Sequence, residues 1–194
     1  MNKADKFTTI RIIFAPVFLV IYVVPEIVPS LKFVSACILF PMLGFAEFTD
    51  FLDGFYARKL KCVSDFGKLY DPFADVFLHL STFFCYVHTG YISFIVLLLL
   101  FYRETGMLFL RMVAAKKGVA IGARKGGKLK TVLYIVTGFV CLAMESLTRF
   151  GVDYTSYNSV ATLVINVMSA LCVVASYISF IDYLWNFKKI IQKK

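Results

Sequence analysis

Charge is scarce in this chain of 194 residues, and negative charge is the scarcer sign: 12 Asp and Glu stand against 21 Lys and Arg, together 17% of the sequence. Hydrophobic residues make up 60% and the mean hydropathy is +0.78, which excludes an ordinary soluble domain. No alternating strand pattern, internal repeat or low-complexity segment is present, and no polar stretch is long enough to form a separate soluble module. The five cysteines (Cys37, Cys62, Cys85, Cys141, Cys172) are scattered, with no pair at metal-ligand spacing. They read as small, reduced packing residues rather than a metal cluster.

What the chain does have is long apolar runs. They predict an all-α integral membrane fold: six transmembrane helices after an N-terminal juxtamembrane segment, forming a single membrane domain over 1–194. The spans are expected at about 10–24, 31–58, 67–87, 92–114, 129–147 and 159–186. The first run, Ile10 to Val24, is followed by no small-residue cleavage site and by further spans, so it reads as a retained helix. Pro25 and Pro29 bracket a brief turn, and His88 to Tyr91 forms a tight break. Pro72 is expected in the first turn of the third helix, where a missing N–H is tolerated.

The net charge of +9 invites a nucleic-acid reading, which its distribution opposes. Lys and Arg collect in Lys3 to Arg11, Arg58 to Lys68, Arg111 to Lys130 and Lys188 to Lys194, while the intervening breaks hold only Lys32 and Arg149. Such alternation follows the positive-inside rule. It places both termini, and the 59–65 and 115–127 loops, on the cytoplasmic side of the inner membrane. The rest of the excess serves anionic lipid and substrate.

Against this background the few acids are conspicuous by position. Four of the five aspartates between residues 50 and 75 stand at fixed positions in the stretch Asp50-x2-Asp53-Gly54-x2-Ala57-Arg58-x8-Gly67-x3-Asp71-x3-Asp75. On a helix Asp50, Asp53, Gly54 and Ala57 share one stripe, and Gly67, Asp71 and Asp75 share another. Two such helices side by side bring the carboxylates together, with small residues leaving room beside them. An oxygen-only cluster suits a hard cation such as Mg²⁺, which in turn holds phosphates. A solvated helix end is the plainer reading, but surface aspartates have no reason to track two helical stripes. Four ionised carboxylates at bilayer depth cost up to roughly 10 kcal/mol, which argues for a site.

The same pattern resembles the motif of the CDP-alcohol phosphotransferases, integral-membrane enzymes of phospholipid synthesis, and matches it at every specified position. The resemblance implies transfer of a phosphoryl-linked group from a CDP-alcohol to an acceptor hydroxyl with release of CMP. It implies that Asp50, Asp53, Asp71 and Asp75 hold two divalent metal ions, Mg²⁺ or Mn²⁺, and that Asp75 is the catalytic base. It assigns Asp53, Gly54, Ala57, Arg58 and Gly67 to the cytidine nucleotide, and implies a homodimer. The chemistry is consistent: two metal ions about 3.5–4 Å apart can clamp a pyrophosphate and stabilise charge on the departing CMP.

A second cluster comprises Arg103-Glu104, Arg111 and the run Gly126-Gly127-Lys128-Leu129-Lys130-Thr131. Arg103 and Arg111 are eight residues apart, about two helical turns, so both can point the same way. With Lys128 and Lys130 they are candidates for binding a second anionic group; the alternative is snorkelling cations at the interface, or Arg103 paired with an intramembrane acid such as Glu47. This arrangement, together with Leu69 to Asp75, resembles the phosphatidylglycerophosphate synthases within the family. That implies CDP-diacylglycerol as donor and sn-glycerol 3-phosphate as acceptor, in a membrane of lipids. The chain departs from that subfamily at Val76, where Lys is common, and at Tyr134, where Gln is frequent. Serine or inositol phosphate as acceptor, or a CDP-choline-type donor with diacylglycerol, are the rival chemistries, and a divalent-cation transporter is the rival of another class.

Two further signals are weak. Gly122-x4-Gly127-Lys128 matches a phosphate-binding P-loop up to Leu129, where Ser or Thr is required, and no strand precedes it, so an ATPase is rejected. His79 continues the Asp71/Asp75 register by one turn, although a lone helical histidine is more often a packing residue.

Overall fold

A computed structural model describes the backbone of residues 3–60, 67–117, 125–153 and 158–192, and the side chains of 7–50, 52, 67, 69–117, 127–153 and 158–187. Among the described residues, six long helices form: α1 (Lys3–Ile27), α2 (Lys32–Leu60), α3 (Gly67–His88), α4 (Phe94–Lys116), α5 (Lys125–Arg149) and α6 (Asn158–Gln192). A 3-10 turn at Pro29–Leu31 joins α1 to α2, and no strand occurs among the described residues. Parts of the two basic loops, residues 61–66 and 118–124, lie outside the described residues.

The helices outrun the apolar spans, because hydropathy marks the hydrocarbon-embedded part while good helix formers such as Lys and Arg continue a helix beyond it. Thus α1 begins at Lys3, so the expected juxtamembrane lead is helical, and α1 runs through Pro25 to Ile27. Pro72 falls in the second turn of α3, not the first, since the helix starts at Gly67. Two left-handed glycines close helices. Gly90 (φ 82°) follows α3 and Gly151 (φ 72°) follows α5. In each case the next amide reaches back to an earlier carbonyl, Tyr91 to Tyr86 at 2.9 Å and Val152 to Leu147 at 3.0 Å. That capping needs a residue free of a Cβ clash.

Among the described residues, four helical segments, Phe7–Ile27, Pro29–Asp50, Gly127–Arg149 and Asn158–Phe187, are long and apolar enough to cross a membrane. Large apolar side chains such as Val20, Phe33, Leu163 and Ile178 are exposed around the bundle, as lipid contact requires. This is an all-α membrane protein. The other two helices, α3 and α4, have 22 and 23 residues, long enough to span. Their apolar character is diluted by Asp71, Asp75 and His79 in α3 and by Arg103, Glu104 and Arg111 in α4.

The packing forms two rings that share an edge. In one, α1 packs on α2 and α3, and α5 packs on α2 and α3; in the other, α4 packs on α3 and α6, and α6 packs on α5. The common edge is α3 against α5, and the main core lies along it, with Phe83, Tyr86, Tyr134, Cys141, Leu142 and Leu100 buried. Cys85, Cys141 and Cys172 are buried free thiols and Cys37 is exposed. At the end of α5, Arg149 binds three elements at once. It donates to Glu145 Oε1 at 2.7 Å, to Ser35 Oγ at 2.6 Å and to the Tyr22 carbonyl at 2.8 Å, and stacks over the Tyr22 ring. This knot joins α1, α2 and α5.

Candidate metal and substrate site

At the other end of the first ring, α2 supplies Asp50 and α3 supplies Asp71 and Asp75. A carboxylate oxygen from each lies within 4.8 Å of the others. The four-residue spacing puts Asp71 and Asp75 on one face of α3. Close approach of the three helices is allowed by small buried residues, Ala15 on α1 and Ala46 on α2 one turn deeper, and Ala74 on α3 beside Asp75.

In the middle of the carboxylates lies Arg11, a residue the motif does not contain. Its Nη1 donates to Asp50 Oδ1 at 2.5 Å and also to Asp75 Oδ1, and its Nη2 donates to Asp71 Oδ1. The arginine side chain is 1% exposed, whereas those of Asp50, Asp71 and Asp75 are 34%, 42% and 31% exposed. The site is therefore a cup whose floor is a guanidinium and whose rim is carboxylate. Counted by position alone, Arg11 is one more basic residue near the N-terminus. The signal that could have singled it out is its place inside the apolar run from Ile10, where a charge needs a partner.

Asp53, Gly54, Ala57 and Arg58 lie within α2, but their side chains are outside the described residues, so the structure brings together three of the four motif aspartates. Gly67 opens α3, one turn before Asp71. The donor set fits a hard divalent cation: it is all oxygen, open on one side, and already gathers around a positive group.

The second cluster is organised by Glu104. This buried acid accepts from Arg103 Nη1, Lys130 Nζ and Tyr134 Oη, each at 2.9 Å. Arg103 Nε also donates to the Ser176 carbonyl at 2.9 Å, tying α4 to α6. Two of the four cations expected to bind an acceptor are thus brought together, on an acid neighbouring Arg103 in sequence and not on Glu47. Lys128 is exposed. Arg111 is half-buried, and its Nε is buried without a hydrogen-bond partner. Gly127 and Lys128 are part of α5, and Gly122 is outside the described residues.

Glu47 instead pairs with His79, at 3.1 Å between Oε1 and Nε2. The His79 ring stands edge-on to Tyr134, with centroids 5.8 Å apart. His79, one turn beyond Asp75, therefore lies between the aspartate cup and the Glu104 network. It is a satisfied, buried histidine.

Comparison with known proteins agrees with the geometry. The family model for CDP-alcohol phosphatidyltransferases matches residues 1–175. A Treponema pallidum (strain Nichols) protein named CDP-diacylglycerol--glycerol-3-phosphate 3-phosphatidyltransferase is 37% identical over 149 residues, covering 77% of this chain and 69% of that protein. A Bacillus subtilis (strain 168) protein of the same name is 33% identical over 145 residues, 70% of this chain and 73% of its own length. A third of that name, from Rickettsia typhi (strain ATCC VR-144 / Wilmington), is 27% identical but aligned over 92% of this chain and 95% of itself. The chain belongs to the CDP-alcohol phosphatidyltransferase family.

Proposed function

We propose that the protein transfers the phosphatidyl group of CDP-diacylglycerol to sn-glycerol 3-phosphate, giving phosphatidylglycerophosphate and CMP. The observation that carries this reading is the convergence of Asp50, Asp71 and Asp75 on one cup in a membrane bundle. The names and alignment lengths of the relatives support the choice of donor and acceptor. In this reading all six helices cross the inner membrane as one domain. The basic loops and the cup face the cytoplasm, and the protein acts as a homodimer, as the family likeness implies.

Asp50, Asp71 and Asp75, with Asp53, hold the divalent cations, Mg²⁺ or Mn²⁺; when bound, these neutralise the pyrophosphate and the charge that develops on CMP. The rest is done by side chains. Asp75 accepts the proton of the acceptor hydroxyl, whose oxygen attacks the phosphatidyl phosphorus as the bond to the CMP phosphate breaks. Gly54, Ala57, Arg58 and Gly67 seat the nucleotide. Arg111, with its unpartnered Nε, and Lys128 receive the acceptor phosphate. Arg103 and Lys130, held by Glu104, contribute positive field behind them.

The test is CMP release from CDP-diacylglycerol by purified protein with glycerol 3-phosphate, serine, inositol phosphate and diacylglycerol as separate acceptors. Turnover confined to glycerol 3-phosphate is expected. Preference for another acceptor reassigns the product within the family, and divalent-cation flux without CMP release replaces the reading with a transporter.

A further inference from the structure

We propose that Arg11 is the resident counter-cation of the aspartate cup, and that divalent-cation binding there is an exchange in which the guanidinium is displaced. This rests on the reading of Asp50, Asp71 and Asp75 as metal ligands. The same three Oδ1 atoms are the acceptors of Arg11 Nη1 and Nη2. A Mg²⁺-sized ion sits about 2.0–2.1 Å from each ligand oxygen. An ion touching these oxygens would overlap a nitrogen already within 2.5 Å of Asp50 Oδ1. The two positive groups compete for one space.

Arginine cannot resolve that competition by losing its proton, because the guanidinium stays charged in proteins. It has to move. Arg11 lies eight residues from the start of α1, about 12 Å along the axis, and its long stem lets the head swing toward the helix end while the methylenes stay against apolar neighbours. Before metal arrives the guanidinium has a structural use. Three carboxylates within 4.8 Å of one another repel, and a buried positive charge among them holds α1, α2 and α3 together. The exchange also sets a threshold. A monovalent ion offers the carboxylates no more charge than the arginine does, whereas a divalent ion offers twice as much.

The exchange is read from Mn²⁺ affinity, measured by electron paramagnetic resonance on full-length protein in nanodiscs at fixed CMP. The variants are Arg11→Gln, Arg11→Lys and, as control, Asp50→Asn. Arg11→Gln should bind Mn²⁺ about tenfold more tightly or better, since one charge-assisted hydrogen bond alone is worth about that factor. Without metal it should unfold at a lower temperature than wild type, and Mn²⁺ should close the gap. Arg11→Lys keeps the charge but bridges fewer carboxylates, so its affinity should also rise. It separates occupancy of the cup from simple repulsion and carries the test if the Gln variant does not fold. Equal or weaker Mn²⁺ binding in Arg11→Gln, or wild-type affinity in Arg11→Lys, overturns the exchange. Binding that depends on Asp50 but ignores Arg11 sinks only this proposal; no binding in wild type removes the metal site, and the proposed function with it.

Discussion

Glu104→Gln removes one charge and almost no volume from the acid that gathers Arg103, Lys130 and Tyr134. Glu104 is 2% exposed and compensates two cations, Arg103 and Lys130, at 2.9 Å each. Removing one partner of a buried pair leaves the other charged and desolvated, at a cost of about 3–5 kcal/mol. For a chain of this size each kcal/mol lowers the unfolding midpoint by about 2–4 °C, so the variant should melt roughly 6–20 °C below wild type. Cys85, Cys141 and Cys172 provide the assay: all three are buried free thiols, so a thiol-reactive fluorogenic dye reports unfolding, and exposed Cys37 sets the baseline. Adding Lys130→Met to the variant removes the stranded ammonium and should recover several degrees, a sign of coupling. A midpoint within about 2 °C of wild type, or strictly additive losses in the double variant, refutes the claim that Glu104 neutralises these cations.

Three other outcomes are expected. Asp75→Asn should abolish CMP release while retaining nucleotide binding, whereas Asp50→Asn should weaken metal-dependent nucleotide binding as well; calorimetry with CMP separates the two. Arg111→Ala should raise the KM for glycerol 3-phosphate about ten- to a hundredfold, the equivalent of one arginine–phosphate contact, with a far smaller change for CDP-diacylglycerol in the same kinetic series. A cysteine at Lys117, which is exposed beyond α4, should resist an impermeant thiol reagent outside intact cells in a cysteine-free background. Ready labelling would put that loop on the outer face.

The helices were legible because each is a long apolar run, and the aspartate cup because its residues repeat at helical spacing on two adjacent elements. The spacing of Asp71 and Asp75 states that they share a face, and the short separation from α2 puts Asp50 within reach. What could not be read is which charge answers which across the bundle. Arg11 lies 39 residues from Asp50 and 64 from Asp75, and only packing of α1 between α2 and α3 places it in the cup. Arg103 looked available because its partner could have been any intramembrane acid. The structure gives it the adjacent Glu104, and Lys130 and Tyr134 reach the same acid from α5. Helix ends lie beyond the expected spans for a simpler reason: apolarity measures immersion, not helicity, so α1 and α6 extend past their greasy parts.

The Arg149 knot matters for how the α1–α2 pair is held along its length. Along α1, Tyr22 lies eleven residues from Arg11, and along α2, Ser35 lies fifteen from Asp50, about 16 and 22 Å of helix respectively. The fastening and the chemistry are therefore at opposite ends of the same helices. With α1, α2 and α5 clasped by Arg149 at one end and α1, α2 and α3 drawn together by Arg11 at the other, each end of the α1–α2 pair is fastened by one arginine.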